Sequence, residues 1–346
     1  MTEEAIAPAV PSTTEDDAAR LTTGEPDRAR RRVIDYLESF ALPGCLVLAG
    51  LYFALSPSTS GTFLTAANLQ VLIGGQAVVA TVALALLVPL CADQWDLSVG
   101  ATAGLGAVYA AVSMSGGSLV KGLVVALAVG ALVGLVNALI VTRFNVNAVI
   151  ATLGTMTIIA GVINLKTGGV AVVSNIPQSL INLGSQTVLG VPKIGVLVAV
   201  VALAVHYLLE HTPYGRYLYA LGANPTAARL VGLRTKTLTA SAFVVAGVLA
   251  SIAGILAVAR TGGANPRLGD QLLLPAFAAA FLSAASIKPG RPNVGGLLVA
   301  VYFLAVLNNG LSLAGAQPYV SSFVNGGALI VGVALATYLG RRRRGA

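Results

Sequence analysis

The sequence predicts an all-α polytopic integral membrane protein of about ten transmembrane helices, and three observations carry that reading. The chain has 346 residues, 56% hydrophobic and 10% charged, with a mean hydropathy of +0.84, more apolar surface than a soluble core of this length needs. Of its thirteen acidic residues, only Asp93, Asp96, Glu210 and Asp270 lie beyond position 38. Apolar runs of about 20 residues, the length that crosses a bilayer core, then recur through the rest of the chain.

From the N-terminus, Met1 to about Pro26 mixes Thr, Ser, Pro, Ala and acidic residues without periodicity, the composition of a disordered, solvated segment. With Arg28, Arg30, Arg31 and Arg32 it forms a cytoplasmic extension over residues 1–35. A basic cluster before an apolar run also suits a signal peptide, and "LPGC" at Leu42 to Cys45 a lipoprotein cleavage site. The apolar stretch follows Cys45 rather than preceding it, so an uncleaved first membrane helix is the better reading.

Spans are expected near 40–56, 69–91, 97–115, 119–142, 148–165, 190–210, 238–259, 272–287, 293–314 and 320–340. The run at 272–287 is short, which leaves eight to eleven spans open. Residues 36–340 form the membrane domain and 341–346 a basic cytoplasmic tail. Ten spans with both termini inside put sixteen of the twenty-one Lys and Arg residues on the cytoplasmic side, as the positive-inside rule requires. The Arg341 to Arg344 run beside a membrane helix suits anionic headgroups rather than nucleic acid. Cys45 and Cys91 lack CxxC spacing and are expected as buried free thiols, and no residues form a metal-ligand pattern.

Within the spans, Gly100 to Gly104 and Gly130 to Gly134 are small-xxx-small patterns that let helix backbones approach. Polar breaks in apolar runs mark irregular backbone or a wet cavity. Three occur: "CADQWDLSVG" (91–100), "ATLGTMT" (151–157) and "LNNGL" (307–311). They nominate Asp96, Ser98, Thr152, Thr155, Asn308 and Asn309 as residues near a translocation pathway, with interhelical hydrogen bonding as the competing role. Asp96 is also placed to cap the helix that follows it.

The stretch "YALGANPTAARLVGLRT" (219–235) lies outside the bilayer in a loop over residues 211–237. Asn224 is a favoured N-cap, Pro225 suits the first helical position, Thr226 to Val231 is Ala-rich, and Gly232 is a left-handed stop. The product is a cytoplasmic helix of about two turns, cationic through Arg216, Arg229, Arg234 and Lys236. A helix that short is marginal alone, so it requires a surface to dock on.

This loop resembles the pattern G-R-x-x-Y-A-x-G-x-N-x-x-A-A-R-L-x-G of ribose-type permeases of ATP-binding-cassette importers, in the branched-chain amino acid/ribose permease superfamily. It stands here as Gly215-Arg216, Tyr219-Ala220, Gly222, Asn224, Ala227-Ala228-Arg229-Leu230 and Gly232. "DLSVG" (96–100), "TLGTM" (152–156) with "TGG" (167–169), and "LNNGL" fall in the family's order, so the resemblance covers roughly residues 90 to 335. It implies that the loop is the coupling helix that seats in a cleft of an ATPase subunit. Many members carry an acidic pair before the eighth helix and a Gly-rich turn after it; "QLLLPAFAAAF" (271–281) and "SAASIKPGRPN" (283–293) depart from both.

The chain has no GxxxxGK[ST] and so no P-loop of its own; no catalytic residues are expected, and ATP and Mg belong to a partner. The resemblance implies a permease for a monosaccharide or related polyol in the inner (cytoplasmic) membrane of a prokaryote. Its implied partners are an ATPase subunit, an extracytoplasmic solute-binding protein, membrane lipids and a second permease copy, identical or related. A permease for a nucleoside or amino acid, a gradient-driven carrier using Asp93 or Asp96, and a non-transporting scaffold are the alternatives.

Overall fold

A computed structural model describes residues 24–114, 116–173 and 175–344, with side chains described between 39 and 339. Residues 1–23 of the expected N-terminal extension, and 345–346 of the tail, lie outside this range. The described chain is α-helical apart from one two-residue hairpin. In order its helices are α1 Gly24–Leu55, α2 Ser60–Phe63, α3 Ala66–Leu90, α4 Val99–Met114, α5 Leu119–Arg143, α6 Ala148–Thr167 and α7 Gln178–Ser185. The antiparallel hairpin β1 Thr187–Val188 and β2 Val191–Pro192 follows, then α8 Lys193–His206, which ends in a π-turn, Tyr207–His211. Next come α9 Pro213–Ala223, α10 Pro225–Leu230, α11 Thr235–Thr261, α12 Leu268–Ser283, α13 Val294–Leu313 and α14 Tyr319–Arg344.

Among the described residues seven helices are long and apolar enough to cross a membrane: α3, α5, α6, α8 with its π-turn, α11, α13 and α14. Three shorter apolar helices, Ser39–Leu55 within α1, α4 and α12, fall on the remaining expected runs. The sequence reading is corrected at several places. Residues 24–35 are the start of α1, not an unstructured extension. The loop after α6 contains α7 and the hairpin, and residues 213–223 are helical, with Thr212 accepting a hydrogen bond from the Gly215 amide and Pro213 at the first position.

α3 and α11 are the central helices, 72% and 78% buried over their apolar windows, whereas α14 at 6% lies on the periphery. With lipid as apolar as the side chains, helices pack here by close backbone approach. The second small-residue pattern does this work: a Cβ on Gly134 would fall 2.7 Å from the Val244 Cα and against the Phe243 carbonyl, and Gly130 meets Gly247 and Ser251 in the same way. α5 and α11 therefore cross in backbone contact. Gly100 and Gly104 seat the start of α4 on Gly269 of α12.

The loops sort into two ends of the bundle. One holds the Cys91–Asp93 turn, the π-turn, α9, α10 and the 284–293 loop, tied together by the contacts described below; the Ile287 amide donates there to the Ser39 carbonyl of α1. The other holds α7 and the hairpin. There Val172 and Ala264 exchange backbone hydrogen bonds, Gln70 Nε2 donates to the Gly190 carbonyl, and Arg260 donates to the Gly75 carbonyl. Both cysteines are free thiols; Cys91 is buried as expected, but Cys45 is exposed.

Candidate functional site

α10 is built by its two caps. Asn224 Oδ1 accepts hydrogen bonds from the amides of Thr226 (3.1 Å) and Ala227 (3.0 Å), and Pro225 occupies the first helical position. At the other end Gly232, at φ +85°, sends its amide to the Arg229 carbonyl while the Leu233 amide reaches the Ala228 carbonyl. That pair of bonds is a Schellman stop. Ala228 faces inward and is buried; Asn224, Ala227, Arg229 and Gly232 face out, together with Leu230 at 84% and Val231 at 77% exposure. A short helix thus presents two bare aliphatic side chains and an arginine at a polar end of the molecule. A neighbouring hollow is walled by Asn145, Arg229, Arg234 and Lys236.

α9 fixes α10 to the bundle at three points. Gly222 has no room for a side chain: its Cβ position lies against the Cys91 carbonyl and 3.1 Å from the Asp93 amide. Tyr219 donates its hydroxyl to the Pro292 carbonyl at 2.8 Å, and Ser241 of α11 donates to the Tyr214 hydroxyl at 3.2 Å. Gly215 sits equally tightly over the Leu209 backbone, which sets the turn from the π-turn into α9. Arg216 lies on the exposed side of α9.

An ion-pair group stands beside these contacts. Glu210 Oε2 accepts from Lys288 Nζ at 2.6 Å and from Arg291 at 3.1 Å, and the Arg291 guanidinium lies 4.7 Å over the Tyr219 ring. It ties the end of α8 to the 284–293 loop. Burial pushes the Cys91 thiol up to about 12, and burial next to Cys91 also raises the Tyr219 hydroxyl, so both stay protonated at neutral pH.

Gly222 touches the start of the broken stretch that runs inward to α4. Asp96 is buried; its Oδ1 accepts from the Ser98 amide (2.9 Å) and the Ser98 hydroxyl (2.6 Å), so it braces the residue that precedes α4 rather than capping the amides of the first turn. Ser98 Oγ in turn accepts from Asn137 Nδ2 of α5 at 2.8 Å. Asn137 precedes Arg143, the end of α5, by six residues, so α4 begins about 9 Å inside that end. Thr152 of α6 accepts from the Leu97 amide at 3.1 Å and donates to the Ala148 carbonyl. The irregular backbone is therefore enclosed by protein inside the helical bundle, a setting in which broken helix survives.

The six residues nominated for a pathway do not form one lining. Asp96, Ser98 and Thr152 meet around the break, and Thr155 is buried one turn further along α6, donating to the Ala151 carbonyl. Asn308 and Asn309 belong to the opposite half: Asn309 exchanges two 3.0 Å bonds with Asn68 near the start of α3, and Asn308 donates to Asn325 of α14. Asn137, Glu210, Lys288 and Arg291 are members that sequence reasoning missed. A lone Asn inside the apolar α5, and one of the few carboxylates of the membrane region at a helix end, were the available signals.

A bundle of apolar helices long enough to cross a membrane, with a buried break inside it and a capped helix held out at one end, has the build of a polytopic membrane protein. Residues 69–333 match the family described as branched-chain amino acid transport system / permease component, and the chain belongs to that family. It is a permease subunit, not an enzyme. The ribose import permease protein RbsC of Escherichia coli K12 is 34% identical over 301 residues, 86% of this chain and 92% of that one. The autoinducer 2 import system permease protein LsrC of Enterobacter sp. strain 638 is 31% identical over 312 residues, 89% and 90% of the two chains. RbsC of Haemophilus influenzae is 31% identical over 252 residues, 72% and 78%. No solved structure matches the chain.

Proposed function

We propose that this permease carries a ribose-like monosaccharide or related polyol into the cell, with ATP and Mg handled by a separate ATPase subunit and the cargo delivered by an extracytoplasmic binding protein. The names of its relatives and the neutral Thr, Ser and Asn groups at membrane depth support that cargo. The observation that carries the coupling role is α10, preformed by caps and presenting Leu230, Val231 and Arg229 with no covering element among the described residues. An ATPase cleft is the surface it requires. A push on α10 passes through α9 to the Cys91–Asp93 turn, to the 284–293 loop and to α11. Gly222 and Ala228 serve as inward relays and Arg229 as the contact with the partner.

In this reading the chain crosses the bilayer ten times over residues 36–340, with α9 and α10, both termini and the basic 341–346 tail in the cytoplasm. A second permease copy, identical or related, completes the transporter. The face of α6 carrying Gly154, Thr157, Gly161 and Asn164 is exposed, and small and polar residues there suit a protein neighbour better than lipid. The test is reconstitution with the ATPase and the binding protein. Arg229→Glu should abolish binding-protein-stimulated ATP hydrolysis while membrane insertion is kept; unchanged stimulation would remove α10 from the coupling role. A thermal-shift screen of the binding protein against sugars, polyols, nucleosides and amino acids decides the cargo.

A further inference from the structure

Beside the coupling segment lies a cavity of about 490 Å³, within the size range of small-molecule sites. Its lining combines a flat aromatic, both signs of charge and small residues. Trp95, held edge-on against Phe281 with ring centroids 4.9 Å apart, supplies the aromatic wall. Asp93 and Arg291 bring one charge of each sign. Gly222 of α9 and Ala336 of α14 complete the enclosure. None of the six residues nominated for the pathway lines it.

We propose that this cavity binds a neutral polyhydroxyl molecule of monosaccharide size from the cytoplasmic side, and that occupancy restrains the coupling segment so that accumulated cargo slows its own import. The inference rests on the coupling role and orientation assigned above. A sugar ring has an apolar C–H face that lies against an indole, and hydroxyls that donate to a carboxylate and accept from a guanidinium. An anion would meet the Asp93 carboxylate with like charge, whereas the Arg291 guanidinium, which holds Glu210 through Nη2, still has N–H groups to offer a neutral hydroxyl. A hydrocarbon would desolvate both ions without replacing their hydrogen bonds. Gly222 forms part of the wall and packs on the Cys91 carbonyl, so a molecule filling the space stiffens the contact through which a push on α10 travels.

Trp95 is the only tryptophan of the chain, so its emission reports on the cavity directly. The full-length permease in detergent micelles, titrated with D-ribose, should show a saturable shift in Trp95 emission with half-saturation on the order of 1–10 mM, and none with inorganic phosphate at equal ionic strength. Ala336→Leu enters the cavity from α14 while leaving every residue of α9, α10 and the ion pairs unsubstituted, and should remove the response. In the complex with the ATPase in lipid vesicles, ribose should lower ATP hydrolysis by about fivefold in the wild type and not in Ala336→Leu. A response to phosphate in place of ribose, or equal responses in wild type and Ala336→Leu, overturns the proposal. Normal stimulation by the binding protein alongside a silent Trp95 overturns this inference alone. A complex that the binding protein fails to stimulate overturns the coupling reading, and the restraint with it, while the fluorescence still decides binding.

Discussion

At Gly222 a hydrogen atom is all that separates α9 from the Cys91 carbonyl. Gly222→Val drives a branched side chain into backbone that cannot yield without moving the Cys91–Asp93 turn, an overpacking cost of about 1–3 kcal/mol. The expected outcome is a permease that inserts and binds its ATPase, detected by co-purification, but whose stimulated ATP hydrolysis falls by about tenfold or more. Cys91, on the other side of that contact, yields a second measurement. Burial favours its neutral form and raises its pKa to about 12, so the thiol stays protonated below that pH. In a Cys45→Ala background, maleimide labelling of Cys91 should be slow at pH 8 in the folded protein and complete after unfolding. Fast labelling of the folded protein would show that the turn opens.

At the scale of elements, the Glu210 group joins the end of α8 to the 284–293 loop. Glu210 is 13% exposed but its partners Lys288 and Arg291 are 41% and 40% exposed, so solvent screening limits the group to about 1 kcal/mol. Glu210→Gln should loosen the end of α8 and raise ATP hydrolysis in the absence of binding protein by about fivefold, an effect that rising salt reproduces in the wild type. A Glu210→Gln complex with unchanged basal hydrolysis and unchanged salt response would show that the group is merely structural. The elements were legible in unequal measure. The apolar runs read directly, because length and hydropathy fix a membrane helix, and the caps of α10 read directly, because Asn-Pro and Gly each have a local backbone reason. α9 was missed although Tyr214, Leu218 and Leu221 form a short apolar stripe, because three positions are too few to stand out beside the long apolar runs, and the contacts of Tyr219 and Gly222 that hold it are tertiary. The ion pairs join residues 78 and 81 positions apart, which no local pattern reveals.

For the whole molecule, the prediction concerns sidedness. Leu189 at the hairpin tip is fully exposed and Leu230 on α10 is 84% exposed, at opposite ends of the bundle. In a Cys45→Ala background, Leu189→Cys should react with a membrane-impermeant thiol reagent in intact spheroplasts, and Leu230→Cys only after lysis. The reverse pattern would invert the topology. The candidate site was half legible at this scale. Asp96, Ser98 and Thr152 were chosen as polar breaks and do meet at the break, whereas Asn308 and Asn309, read from the sequence as near the middle or outer half of a span, pair with Asn325 and Asn68 instead. Only the bundle shows that those two asparagines bind α3 and α14 on the far half.

The peripheral setting of α14 has a bearing on how the chain is made. It leaves the ribosome after the other described helices, and it rests on α12 and α13 while the crossing of α3, α4, α5 and α11 closes without it. Synthesis order and packing order therefore agree: the centre can assemble in the membrane while the C-terminal segment is still being translated, and α14 adds afterwards as a lid on a finished bundle.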